Sequence, residues 1–169
     1  MTPPQRLNQG VGLLALALTL TIWALFVYLQ RVLPLPPLRM SPGWHWALTA
    51  LFALDAVGTV IWSLGILAGA LREGRLARTG PYALVRHPMY SAVMYSGTAA
   101  VAFAFQAWVV LLAVVPVHLV WLRLARMEEA ELRGRFGKGY SEYAAATGQF
   151  LPRLRSLTLP PSNSQERPD

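Results

Sequence analysis

The sequence predicts an all-α integral membrane protein of about four transmembrane helices with a C-terminal cytoplasmic helical tail, and three observations carry that expectation. Apolar residues make up 54% of the 169-residue chain and charged residues only 14%, whereas about a quarter of a soluble domain is charged. The apolar residues also fall into blocks close to the roughly 20 residues a bilayer crossing needs, parted by segments containing Arg, Pro and Gly. Finally, the basic residues divide very unevenly between the two sides that four crossings define.

The first span runs from about Val11 to Leu33 and is closed by Pro34, Pro36 and Pro37. The apolar run after Arg6 is too long for a secretory h-region, and no A-x-A-like cleavage site follows it cleanly, so it reads as a retained helix. The second span covers about Trp44 to Leu71, with Trp44, His45 and Trp46 as interfacial anchors. Within it, Gly65 and Gly69 form a small-xxx-small pair that predicts close helix packing. A third, shorter span starts at Pro88 and ends near Phe105, and a fourth covers about Trp108 to Leu124. Only Gln106 and Ala107 separate them, which predicts a tight hairpin. Residues 1–155 are expected to form one domain, and the polar segment Ser156–Asp169, with three prolines, to lack fixed structure.

With four crossings, Arg6, the arginines at 72, 75, 78 and 86, and eight Lys or Arg from Arg123 onward share one side, and only Arg31 and Arg39 lie on the other. Thirteen against two predicts both termini in the cytoplasm, and the expected location is a bacterial inner membrane. The formal charge of +7 follows from this placement beside apolar spans, so anionic lipid headgroups are the expected partners rather than nucleic acid. With no cysteine, disulfides, thiolate metal sites and cysteine nucleophiles are excluded.

Two polar groups fall inside the spans. Asp55 lies eleven residues past Trp44 and His118 eleven past Ala107. The two helices run in the same direction, so both side chains should reach similar depth and hydrogen-bond across the bundle, since ionisable groups there are usually partnered. A structural pairing fits better than a catalytic one.

Two segments carry chemistry. In Arg78-Thr-Gly-Pro-Tyr-Ala-Leu-Val-Arg-His-Pro-Met-Tyr90, Gly80-Pro81 signals a turn and Pro88 suits the first turn of a helix. Tyr82, Arg86, His87 and Tyr90 would then gather at a helix N-terminus suited to an anionic group, although Tyr and Arg also serve as plain headgroup-depth anchors. The second segment, Arg126 to Tyr143, lies just beyond the fourth span. Helical spacing pairs Glu129 with Arg133 and Arg126, and Glu131 with Arg135. Glu128 faces only Leu124 and Leu132, so it is the acid expected to find a partner elsewhere.

Together these segments resemble the isoprenylcysteine carboxyl methyltransferases and the related phospholipid methyltransferases. The resemblance rests on Gly80-Pro-Tyr, Arg86-His-Pro-Met-Tyr90, Glu128-Glu129 with Leu132, Phe136-Gly137, Tyr140, Tyr143 and Leu151-Pro152-Arg153, and covers roughly residues 72–155. It implies methyl transfer from S-adenosyl-L-methionine to a lipid-like or prenylated acceptor. Carried over by position, Tyr82, His87, Pro88, Met89 and Tyr90 would line the cofactor pocket, with contacts from Leu76 and Ala77, and Glu128 would hold a hydroxyl or amine of the cofactor. Gly74 and Ala92 depart from the family pattern, and Leu124 stands where prenylcysteine enzymes place an arginine for the substrate carboxylate. Arg123 and Arg126 flank that position as substrate candidates. His87 is the candidate catalytic base, needed for an amine acceptor and not for a carboxylate. Two other readings stay open: an NADPH-dependent membrane reductase of the sterol-reductase type, which resembles this family in its C-terminal helices but is usually longer, and a non-enzymatic membrane scaffold.

Overall fold

The computed structural model describes residues 3–153, with side-chain surroundings from residue 11 onward, and the proposed tail at 156–169 lies outside the described residues. The chain is all-helical. Helix α1 spans Pro3–Val32 and α2 spans Pro42–Arg72. A 3-10 turn at Gly80–Ala83 leads to α3, Pro88–Ser91, which continues through a π-helical stretch, Ala92–Gly97, into α4, Thr98–Ala104. After a second 3-10 turn, Trp108–Ala113, α5 runs from Val114 to Ala146 with non-helical backbone at Gly137.

Among the described residues, three stretches are long and apolar enough to cross a membrane: Val11–Val32, Pro42–Arg72 and Trp108–Ala146. The last includes polar residues, and its apolar part ends near Leu124, so the charged residues from Arg126 onward lie beyond the apolar span. The expected third span is helical throughout residues 88–104. At about 1.5 Å per residue, that is roughly 25 Å, short of a hydrocarbon core of about 30 Å. The expected hairpin forms at Gln106, which takes a positive φ of 50°. Its carbonyl accepts a hydrogen bond from the Leu38 amide at 3.1 Å, tying the turn to the loop after α1.

Helix α1 is held by two indole donors. Trp121 Nε1 donates to Thr19 Oγ1 and Trp23 Nε1 to Thr98 Oγ1, each at 2.9 Å, fixing α1 against α5 and α4. Between them lies a core of Ala15, Met94, Val117, Trp121, Leu124, Ala125 and Phe150. Helix α2 packs on α4 and the π-helical stretch but leaves large apolar side chains such as Leu54, Ile61 and Trp62 exposed, as a lipid-facing helix does.

Three expectations are corrected. Gly65 and Gly69 face open space, so they mediate no close packing among the described residues; the close approach is at Gly97, beneath the Trp23 ring. Trp44 and Trp46 are exposed, as anchors would be, but His45 turns inward and its Nε2 meets the Ala104 carbonyl at 3.1 Å. Nor do Asp55 and His118 pair. Ser96 Oγ donates to Asp55 Oδ2 at 2.5 Å, while His118 Nδ1 lies 3.4 Å from the Tyr95 hydroxyl. The physical reason is the π-helical stretch, whose wider turn presents neighbouring polar side chains to the two helices at once.

Candidate functional site

The site is assembled at the basic end of the bundle. Gly80 opens the turn with φ +59°, and a Cβ there would stand 3.3 Å from the Ile66 and Trp62 side chains, so both conformation and space call for glycine. The following residues meet the end of α5 in a short zipper. Val85 forms a parallel bridge with Gly148, the Arg86 amide donates to Gly148 O at 2.8 Å, and the His87 amide to Gln149 O at 3.1 Å. Ser91 Oγ adds a bond to Phe150 O at 2.8 Å. Residues 147–150 thus form a strap across the start of α3. Tyr143 ties the Gly80–Ala83 turn to α5, donating its hydroxyl to the Tyr82 carbonyl at 2.7 Å.

Glu129 is the hub. Its Oε1 receives Arg86 Nε at 2.9 Å and Gln149 Nε2 at 3.1 Å and lies 3.3 Å from His87 Nε2; its Oε2 receives Arg133 at 3.2 Å. Arg86 also donates to the carbonyls of Ala144 and Thr147, at 3.0 and 2.5 Å, spending its guanidinium on helix α5's end and the strap. Burial opposes ionisation of Glu129, but the His87 and Arg86 hydrogen bonds overcome it and bring its pKa down to about 2.

Glu128 points elsewhere. Tyr90 donates its hydroxyl to Glu128 Oε1 at 2.6 Å, and His87 Nδ1 lies 3.4 Å from Oε2. The His87 imidazole therefore stands between two carboxylates. Burial disfavours its charge, yet the hydrogen bonds to Glu128 and Glu129 prevail and raise its pKa. The Tyr82 phenol is pushed up to about 12, first by burial and then by the negative charge of Glu128. His87 and Tyr90 stack with rings 5.2 Å apart and 6° from parallel; Trp121 packs beyond Tyr90 and Phe150 beyond His87.

The structure thus brings His87, Tyr90 and Glu128 into contact, with Tyr82 within electrostatic reach. Leu76, Ala77 and Tyr82 line one small cavity of about 90 Å³ with Arg86, Phe136 and Tyr143. Pro88 is buried at the wall of another, and Met89 is half-buried without a polar contact. Arg123 and Arg126 are exposed and take no part in the cluster. Of the local pairs expected for Glu129, Arg133 forms and Arg126 does not.

Sequence reasoning missed Glu129's role because helical spacing already supplied it with a partner. The available signal was Arg86, a basic residue placed among site residues with no local acid. Gln149 and Phe150 gave no signal, since their place depends on the strap.

The description of the phospholipid methyltransferase family matches the chain over residues 45–139. No curated protein matches the chain, and neither does any solved structure.

Proposed function

The chain belongs to the phospholipid methyltransferase family, and on that premise we propose that it moves the methyl group of S-adenosyl-L-methionine to a lipid-like acceptor, at a site on the cytoplasmic face formed by His87, Tyr90, Glu128 and Tyr82. A membrane methyltransferase is what the family indicates; the cofactor, the acceptor, the residues and the orientation are our reading. The observation that carries it is the meeting of Tyr90 and His87 with Glu128 across two separate helices, at 2.6 and 3.4 Å.

The donor set suits this cofactor. Glu128 keeps a third of its side chain exposed, so its carboxylate has lone pairs left for a hydroxyl or amine. Tyr82 offers an aromatic ring to a purine or a sulfonium cation. When bound, the cofactor supplies an already activated methyl group. The chain's task is to align the acceptor and keep water out. The strap over α3 and the apolar layer of Trp121 and Phe150 serve the second purpose.

His87 lies between the Glu128 and Glu129 carboxylates, which raise its pKa against the opposing effect of burial. The two carboxylates orient its ring, and it is the candidate base where an amine acceptor must lose a proton. Prenylcysteine-type carboxylates and phospholipid headgroups both remain within the proposed class.

The test is cofactor binding by the purified protein in nanodiscs. S-adenosyl-L-methionine should bind and raise the unfolding temperature, NADPH should not, and Glu128→Gln should weaken binding about tenfold, the loss of one charge-assisted hydrogen bond. Stabilisation by NADPH alone, or by neither molecule, would overturn the proposal.

A further inference from the structure

A buried hydroxyl is left over from the site. Tyr140 is 0% exposed, yet its hydroxyl has no hydrogen-bond partner among the described residues. Burial first, and then the charge of Glu129, push its pKa up to about 12, so the phenol keeps its proton and is a donor at neutral pH. Arg133 lies 5.7 Å from the centre of its ring, and the Tyr143 ring meets it edge-on, but neither contact uses the hydroxyl. A buried donor without an acceptor is costly, and one kept in a native fold calls for an explanation.

Tyr140 lines the cavity of about 90 Å³ between the end of α2 and the outer part of α5. Three arginines share that lining, Arg75, Arg86 and Arg135, and no acid does. Guanidinium groups stay charged and only donate. Arg86 and Arg75 have acid partners in Glu129 and Glu73, but neither acid belongs to the wall, which presents donors and no carboxylate. Leu67 and Leu71, from the last turns of α2, make its apolar side. Leu71, Arg75 and Arg135 are exposed, so the mouth lies where the apolar span gives way to basic residues, the depth at which anionic headgroups are attracted.

We propose that this cavity seats the phosphate of an anionic phospholipid, with the Tyr140 hydroxyl and the guanidinium groups around the phosphate oxygens and an acyl chain along Leu67 and Leu71. Charge complementarity selects the occupant. A phosphate brings acceptors alone and satisfies the leftover donor through charge-assisted hydrogen bonds. A zwitterionic headgroup carries a cation toward the same arginines and gains less. Size points the same way. The cavity of about 90 Å³ suits one small oxyanion, whereas pockets for whole small-molecule ligands start near about 300 Å³. An anionic lipid without an amine offers no nitrogen to methylate. It is a bound partner, so the proposal goes beyond the transfer reaction above.

Native mass spectrometry of the purified full chain in detergent micelles tests it, with dioleoyl phosphatidylglycerol as the anionic probe and dioleoyl phosphatidylcholine as the zwitterionic one. One phosphatidylglycerol should bind saturably and about tenfold more tightly than phosphatidylcholine, the step expected of a charge-assisted hydrogen bond. Tyr140→Phe removes a hydroxyl that has no partner in the free protein, so its unfolding temperature without lipid should not fall. Its preference for phosphatidylglycerol should drop to roughly threefold or less. General attraction of anionic lipid to the basic face would survive that substitution. Arg135→Gln, at an exposed position, should weaken the preference as well and gives a second reading if Tyr140→Phe fails to fold. Equal binding of the two lipids, or an undiminished preference in Tyr140→Phe, would overturn the proposal. So would displacement of bound phosphatidylglycerol by S-adenosyl-L-methionine, which would make the cavity part of the cofactor's site. The two lipids are compared without methyl transfer or cofactor, so a protein lacking that activity would still pass or fail here.

Discussion

Replacing Glu129 with leucine should unfold the basic end of the bundle, while replacing its neighbour Glu128 with glutamine should not. The Glu129 side chain is 5% exposed and Arg86 10%, and the pair is joined at 2.9 Å. Glu129→Leu would leave the Arg86 guanidinium buried without its counter-charge, and His87 with Glu128 alone. Removing one partner of a buried pair is destabilising by about 3–5 kcal/mol. Proton linkage gives the same size. A carboxyl brought from 4.5 to about 2 contributes on the order of 3 kcal/mol at neutral pH. That share is fully present above pH 4.5 and is lost as pH falls toward 2. Glu128, with 33% of its side chain exposed, should contribute about 1 kcal/mol or less. Equilibrium unfolding in mixed micelles, followed by tryptophan fluorescence, measures both variants, and cofactor titration measures binding. The expected result is a double dissociation: Glu129→Leu loses stability, and Glu128→Gln keeps stability but loses affinity. Equal stability loss in the two variants would refute the assignment of hub and ligand.

His87 should titrate above 6.5 in an NMR pH series, and Glu128→Gln should lower its midpoint by removing one of the two carboxylates that raise it. Because its folded-state pKa is raised, its stabilising share is complete below pH 6.5 and disappears as pH rises through the folded value. Gly80→Ala should cost about 1–2 kcal/mol in the same unfolding assay, since alanine at φ +59° is strained and its Cβ meets Trp62 and Ile66. Tyr143→Phe removes the buried donor to the Tyr82 carbonyl and should cost about 1 kcal/mol, with increased protease cleavage in the strap.

Much of this was legible in the chain. Pro88 announced a helix start, Gly80-Pro81 a turn, and the isolation of Glu128 from local cations a partner elsewhere, which proved to be Tyr90 and His87. Local spacing is a short-range instrument, however. It gave Glu129 to Arg133, which is correct, and so hid the longer-range bonds to Arg86 and Gln149. The Asp55–His118 expectation failed for a related reason. It assumed regular helices at 3.6 residues per turn, and residues 92–97 carry no marker of their wider winding. Gly65 and Gly69 fit a packing motif in spacing but, among the described residues, nothing approaches them closely.

The strap also has a consequence for synthesis. Arg86 emerges from the ribosome some sixty residues before the Ala144 and Thr147 carbonyls that hold it. During that interval its guanidinium must stay hydrated or lie among lipid phosphates. The pocket therefore cannot close until α5 and the strap have been made.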